Sequence, residues 1–317
     1  MAVAPSSELR ALADQGRRLL FGQGVAPSPQ QGLDLLLRAA RAGEGSACLT
    51  AAVLAASGAA GPKDWPRALD FLQRGAAAGD PAAQGQLRLL ADPSGPATGA
   101  DWPALRRAVD LEAWRAAPPL EPVSNDPQIA AAAGFLAPPV CDWLMAAAAG
   151  RLTPAAVIAN QGAGDVHAGI RTSTHAGFDL LSSDLVVLIV RERLASAAGL
   201  DVRCFEAPQV LHYAPGEEYR PHFDFLRPEL PAHAAALASV GQRCITLLVY
   251  LNDAYEGGET EFPQLGLKHR GRLGELLMFR NADAAGRPDP RMLHAGLAPT
   301  SGEKWLLSQW VRDRPQP

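Results

Sequence analysis

The chain has 317 residues, 48% of them hydrophobic and 20% charged, with a net charge of −4. That is enough length for one large or two ordinary globular domains, and no basic stripe marks a nucleic-acid partner. Its four cysteines (Cys48, Cys141, Cys204, Cys244) are scattered without a CxxC pair, which argues against structural zinc and a disulfide framework.

The opening MAVAPSSELRALADQ carries a carboxylate and an arginine where a signal peptide needs an apolar stretch. The longest apolar run, around Leu185–Val190, is too short to cross a bilayer. The expected setting is a reducing cytoplasm, with no membrane partner.

Residues 1–92 are rich in Ala, Leu and Gly and contain an internal repeat. QGLDLLLRAARAGEGSA (31–47) aligns with RALDFLQRGAAAGDPAA (67–83) at an offset of 36 residues, matching Leu33/Leu69, Asp34/Asp70, Leu36/Leu72, Arg38/Arg74 and Gly43/Gly79. Leu and Ala at helical spacing, a Gly-acid turn and another such helix predict stacked helix-turn-helix units. The pattern resembles Sel1-like repeats of the tetratricopeptide class, in about two copies. Such repeats can present a partner-binding surface, or they can act as a helical cap that only stabilises the next domain.

Residues 93–124 carry Pro and Gly clusters around one short helical stretch and read as a linker. A second domain, 125–317, follows. It begins with Ala-rich segments expected to be helical (IAAAAGFLAPPVCDWLMAAAAGRL), and Leu185, Leu188, Ile189 and Leu194 fit a further helix. After Val202 the pattern becomes strand-like, with short alternating apolar runs at Pro208–Tyr213, Cys244–Leu251, Leu276–Phe279 and Trp305–Val311. Helices followed by many short strands indicate an α+β domain, a β-sandwich or jelly roll with flanking helices, preceded by an all-α repeat domain.

One stretch concentrates chemistry. YAPGEEYRPHFDF (213–225) reads as strand, Pro-Gly turn and second strand. Residues two apart in a strand share a face, so His222 and Asp224 can present an imidazole nitrogen and a carboxylate oxygen together. Those are two ligands of a two-histidine, one-carboxylate site that leaves positions open on Fe(II). For the third ligand His294 is the best candidate. His233 falls in an Ala-rich helical loop, and His269 in a basic turn expected to be exposed. Ten residues beyond His294, Lys304 opens the last strand and shares a face with Leu306, Ser308 and Trp310. A lysine there is either a solvated strand end or a fixed cation for a buried carboxylate.

HxD, a distant His and a Lys ten residues further resemble the Fe(II)/2-oxoglutarate-dependent dioxygenases, in particular the prolyl 4-hydroxylase branch. Further blocks resemble that branch in the same order: AGIRTSTHAGF, VVLIVRERLASAAGL, ITLLVYLNDAYEGGETEFP, RGRLGELLMFRN and LHAGLAPTSGEKWLLSQWVRD. The resemblance covers about residues 125–313 and implies a double-stranded β-helix. It implies that His222, Asp224 and His294 bind Fe(II), and that Lys304 pairs with the distal carboxylate of 2-oxoglutarate. Tyr213 would stand beside this cosubstrate, with Thr246 and Tyr250 lining the same pocket. O2 would be the second cosubstrate and ascorbate a reductant. The implied reaction is hydroxylation with release of succinate and CO2; the retained Asp224 argues against halogenating relatives, which have a small residue there. GGETEFP resembles a family strand start and reads as architectural.

The substrate is open. Hydroxylation of a prolyl residue in a peptide or protein, with the repeats helping to hold that partner, is the preferred expectation. The alternatives are an oxygenase for a free amino acid or small molecule, and a non-catalytic interaction protein. Arg220, Arg227, Arg287 and Arg291, in or beside loops 225–243 and 281–292, can recognise a carboxylate or peptide backbone, or serve only as solvated loop charge. Tyr219 has no assigned role.

Overall fold

The structure is a computed structural model describing residues 6–95, 98–155, 170–283 and 285–316. The first two residues of the AGIRTSTHAGF block, and Ala284 in the loop before His294, lie outside the described residues. Two compact units emerge: Met1–Trp114 with Leu180–Val190, and Arg115–Asp179 with Arg191–Pro317.

The first unit is built on helices Ser6–Phe21 (α1), Pro29–Arg41 (α2), Gly45–Ser57 (α3), Trp65–Ala77 (α4) and Pro81–Ala91 (α5). Helices α2 and α4 start and stop at positions 36 residues apart, the offset of the sequence repeat. The turns repeat as well. Gly43 and Gly79 both take left-handed φ values, +87° and +90°, which only glycine adopts without strain. The next residue caps the following helix: Glu44 accepts the Ala47 N–H at 2.6 Å, and Asp80 accepts the Ala83 N–H at 2.9 Å. Small residues bring the helix backbones together. A Cβ on Gly32 in α2 would lie 2.5 Å from the Leu20 nitrogen and 2.7 Å from the Gly16 oxygen in α1.

The linker stretch holds two short helices rather than one, Trp102–Ala108 (α6) and Leu111–Arg115 (α7). Its last residues, Glu121–Asn125 (β1), are a strand paired with Gln128–Ala132 (β2). Here the sequence reading needs correction, because the Ala-rich start of the second region is a strand and not a helix. Strand β2 pairs with Leu276–Arg280, burying Ile129 and Ala132. Alanine's helix preference is worth only tenths of a kcal/mol per residue, and ladder pairing with burial overrides it. The helix expected from the same segment begins only at Pro138.

In chain order the elements continue with Pro138–Ala149 (α8), Thr153–Pro154 (β3), Thr174–Gly177 (β4), Leu185–Ala198 (α9, whose residues up to Val190 belong to the first unit), Gln209–Tyr213 (β5) and Tyr219–His222 (β6). Then come Pro231–Val240 (α10), Arg243–Tyr250 (β7), Glu256–Gly257 (β8), Thr260–Phe262 (β9), Leu267–His269 (β10) and Leu276–Arg280 (β11). His294–Gly296 (β12), Pro299–Ser301 (β13) and Lys304–Arg312 (β14) complete the series. The eight-stranded sheet has the order β1-β2-β11-β7-β14-β5-β4-β3, and a four-stranded sheet has the order β10-β9-β12-β6. Side chains of both sheets share one core: Leu211, Tyr213, Leu248, Tyr250, Phe279 and Leu306 from the larger, Phe262 from the smaller. This is the double-stranded β-helix with flanking helices, and the strands expected near 208–213, 244–251, 276–279 and 305–311 are all present.

Candidate active site

The pairing of β6 with β12 brings the two distant histidines together, since His222 and His294 are direct cross-strand partners. Strand β6 ends at His222, so Asp224 lies just beyond it rather than in the extended HxD strand of the sequence reading. Its carboxylate still meets both rings, with Oδ1 3.6 Å from His222 Nε2 and Oδ2 3.4 Å from His294 Nε2. Ligand atoms of these three residues all lie within 4.8 Å of one another, and they are the one group among the described residues that could hold a metal ion.

The rings are preset for that role. His222 Nδ1 donates to the Arg220 carbonyl at 2.8 Å, and His294 Nδ1 donates to the Met292 carbonyl at 3.0 Å. With Nδ1–H committed to backbone, Nε2 of each ring is the atom turned toward Asp224 and the one a metal would take. Burial and the neighbouring His294 press His222 down to about 4. Burial alone would raise Asp224, but the His294 and His222 rings hold its carboxyl well below the usual range. At neutral pH the trio therefore presents a carboxylate and at least one neutral imidazole.

Lys304 lies on the larger sheet, fully buried, and its Nζ has no hydrogen-bond partner. It sits 5.2 Å from the Tyr213 ring and 5.8 Å from the Tyr250 ring. Burial pushes its amine down to about 7, an effect Glu259 partly opposes. Gly258 leaves room for the lysine stem, since a Cβ there would fall 3.4 Å from Lys304 Cδ. The solvated-end alternative is thereby excluded. A buried cation without a hydrogen-bond partner is costly, and the Glu259 charge offsets that cost only in part. The Tyr250 hydroxyl is 2.8 Å from Thr260 Oγ1.

Arg171, Gln209, Leu211, Tyr213, Tyr219, His222, Asp224, Leu248, Thr260, His294, Leu306, Ser308 and Trp310 line one cavity. It runs along three neighbouring strands of the larger sheet, past the histidines and toward Trp310.

Of the expected residues, Tyr213, His222, Asp224 and His294 line this cavity; Lys304 and Tyr250 do not, and neither does Thr246. It shares a face of β7 with Tyr250, yet four residues of strand span about 13 Å. Tyr250 therefore reaches Thr260 and the lysine end, while the Thr246 hydroxyl donates to Asp224 Oδ2 at 2.6 Å. Tyr219, unassigned from sequence, stacks on His222 with centroids 3.4 Å apart, and its other neighbour is the Arg171 guanidinium at 4.7 Å. His269 departs from its expected exposed turn: it lies on β10, half-buried, 3.3 Å from Glu275. His233 is on helix α10, where Nδ1 accepts from the Arg227 amide.

The loop arginines are all held by nearby acids: Arg220 by Glu218, Arg227 by Glu229, Arg287 by Asp283, and Arg291 by Asp289 and Asp126. The arginines at the cavity are others. Arg171 lines it, and Arg243 lies 3.7 Å over Trp310 while paired with Glu206. Sequence reasoning also passed over Thr260 and Asn281. Thr260 could have been found in the GG-x-T start, and Ser308 and Trp310 on the Lys304 face. No local signal marks Asn281.

The model of the 2OG-Fe(II) oxygenase superfamily matches residues 208–312. Prolyl 4-hydroxylase 1 of Arabidopsis thaliana is 31% identical over 208 residues, covering 61% of this chain and 72% of that protein. Among solved structures, the viral collagen prolyl hydroxylase of Paramecium Bursaria Chlorella virus-1 is 28% identical, with a TM-score of 0.46, over 59% of this chain and 96% of that one. A Sel1 repeat protein from Oxalobacter formigenes is 27% identical, with a TM-score of 0.26, over 32% of this chain and 81% of its own. No helix among the described residues is long and apolar enough to cross a membrane.

Proposed function

The chain belongs to the 2OG-Fe(II) oxygenase superfamily, on its prolyl 4-hydroxylase branch, and is a 2-oxoglutarate-dependent dioxygenase; from that premise we propose that it hydroxylates a prolyl residue in a peptide or protein, releasing succinate and CO2. The observation that carries the site assignment is the buried, unpartnered Lys304 ammonium in the same fold as a preset His-Asp-His trio.

In this reading His222, Asp224 and His294 would hold Fe(II), and the donor set fits: two imidazoles whose Nδ1 is committed to backbone, and one carboxylate. The 2-oxoglutarate site also fits, because a carboxylate would supply the partner that Lys304 Nζ lacks. Tyr213 stands beside that amine, and the Tyr250–Thr260 hydroxyl pair closes the same end. Bound together, iron, 2-oxoglutarate and O2 supply the oxidant for C–H hydroxylation, with ascorbate as an auxiliary reductant. The chain's own residues bind and orient. The His222 ring is wedged by Tyr219, the His294 ring is walled by Phe279 at 4.8 Å, and Leu211, Leu248 and Leu306 keep the cavity floor apolar. A dry floor strengthens every charge interaction at the site.

The substrate would enter at the end lined by Gln209, Ser308, Trp310 and Arg171. The helical repeats form the first domain and would help to hold a protein partner. The cytoplasm remains the setting inferred for a chain whose four cysteines are all unpaired. The test is succinate formation by the full chain with Fe(II) and 2-oxoglutarate over proline-containing peptides and free amino acids, with mass spectrometry for added oxygen. Peptide-dependent turnover with a hydroxylated proline is expected. Turnover on a free amino acid without peptide would overturn the substrate assignment, and absence of any 2-oxoglutarate turnover would favour an interaction role.

A further inference from the structure

Behind the His-Asp-His trio runs a chain of side-chain hydrogen bonds with a fixed direction. Asp224 Oδ2 is 2.6 Å from Thr246 Oγ1, and Thr246 Oγ1 is 2.8 Å from Asn281 Nδ2. Asp224, Thr246 and Asn281 are all buried.

The direction follows from chemistry. An ionised carboxylate can only accept, so the Thr246 proton must point at Asp224. A hydroxyl has one proton, so toward Asn281 it can only accept, and the amide must present its NH2 group. The rejected orientation of Asn281 would set two acceptors against each other. The chosen one leaves Asn281 Oδ1 buried with no partner. Native structures rarely leave such an atom unsatisfied, so the NH2 contact to Thr246 outweighs that loss.

Asn281 is also fixed to both sides of the site. Its backbone N–H donates to the Cys244 carbonyl on β7 at 2.8 Å, and its carbonyl accepts from Asp289 at 3.0 Å. Asp289 belongs to the loop that leads through Met292, whose carbonyl orients His294.

On the reading that this trio holds Fe(II), we propose that Asn281 and Thr246 are positioning residues that set the Asp224 carboxylate for the metal. Asn281 aims the Thr246 proton; Thr246 ties down Oδ2 and fixes the carboxylate rotamer; Oδ1 keeps its lone pairs toward His222. Neither residue touches the metal.

The experiment is anaerobic titration of the full chain with Fe(II), and with Co(II) to follow its absorption spectrum, in wild type and in Thr246→Val, Thr246→Ser, Asn281→Asp and His222→Ala. Circular dichroism and thermal melting report folding. Thr246→Val keeps the volume and removes the proton. Asn281→Asp keeps the volume and offers the hydroxyl a competing acceptor. Both should weaken metal binding by roughly 10–100-fold, the usual effect of losing an outer partner of a metal ligand, and shift the Co(II) spectrum. Thr246→Ser should restore most of the affinity. If folded Thr246→Val binds both metals as wild type does, with an unshifted spectrum, the proposal is overturned. If Asn281→Asp does not fold, the Val/Ser contrast at 246 decides alone. Failure of wild type to bind Fe(II), or undiminished binding in His222→Ala, would instead overturn the metal-site reading beneath it.

Discussion

The two units of this chain bury different chemistry, and the contrast separates scaffold from site. Thirteen polar or charged residues are buried among those described, and twelve fall in the β unit; the helical unit has only Gln86, which accepts the Leu185 N–H at 3.1 Å. The helical unit is held by close backbone contact through Ala and Gly, by Leu packing and by acid caps at its turns. Apart from its glycine turns, their caps and the glycines that meet a neighbouring helix backbone, such as Gly32, almost any apolar residue of the right size would serve. The β unit instead holds a buried carboxylate, one buried and one half-buried imidazole and a buried ammonium without a hydrogen-bond partner, each of which costs stability unless a partner compensates. Such a core is explained by what it binds.

The largest test of that contrast is His222→Ala. It removes a proposed ligand, so metal affinity should fall by more than the roughly 10–100-fold that an outer-shell partner commands. The helical unit should be untouched, as seen in its far-ultraviolet helical signal. Iron titration with circular dichroism checks both.

Lys304→Met separates stability from function within the β unit. The variant should lose cosubstrate affinity by about 10- to 150-fold, corresponding to about 1.5–3 kcal/mol for a hydrogen bond to a charged group, while iron binding persists. Without 2-oxoglutarate, however, it should melt higher than wild type, because an uncompensated buried cation has been replaced by an apolar chain. The pH dependence has a definite sign. The groups facing this amine are Tyr213 on β5, Tyr250 on β7, Glu259 before β9 and His269 on β10. The buried amine titrates near 7, against 10.5 in the unfolded chain. Between those values the unfolded chain binds the extra proton, so stability of the cosubstrate-free protein should rise with pH across that window. Below 7 both states are protonated and the burial penalty is full. Affinity for 2-oxoglutarate should run the other way, weakening as pH rises through 7. Melting curves and cosubstrate titrations at pH 6, 7.5 and 9 would show both trends, and Lys304→Met should flatten them.

Gly32→Ala probes the other unit. The added methyl meets backbone on α1 rather than a movable side chain, so the helices must part. A loss of about 1–3 kcal/mol is expected, with iron and 2-oxoglutarate affinities unchanged. Denaturant unfolding of the full chain combined with those titrations is the measurement.

How much was legible in the sequence follows the same division. The repeat could be read because its signals are local: helical spacing, glycine at the turn, an acid one residue later. His222, Asp224, His294 and Lys304 could be read because a family spacing ties them together, although cross-strand pairing makes the contact. Thr246 was grouped with Tyr250, and its contact with Asp224 was not foreseen, because a shared strand face does not say how far along the strand a group acts. Asn281 was invisible. Its partner on β7 depends on the register of Thr246 opposite Phe279 and on a loop path that no local pattern encodes. The Ala-rich β2 was misread for a related reason, since its partner strand lies about 150 residues downstream.

The smallest effect tests whether the two repeats are also energetic copies. Glu44 and Asp80 cap equivalent helices, and neither touches the β unit's cavity. Replacing Asp80 by Ala should cost about 1 kcal/mol through loss of one helix cap. Glu44 does more than its counterpart: one of its oxygens, Oε2, also accepts from Ser46, whose hydroxyl in turn accepts from Arg17 at 2.9 Å. Glu44→Ala should therefore cost more than Asp80→Ala. The double variant should be close to additive, because the two caps share no hydrogen-bond partner, although Asp80 lies against Gly45 beside Glu44. Equal single losses would mean that the Ser46–Arg17 extension contributes nothing measurable. A non-additive pair would mean that the repeats are coupled through the α3–α4–α5 stack rather than behaving as separate copies of one turn.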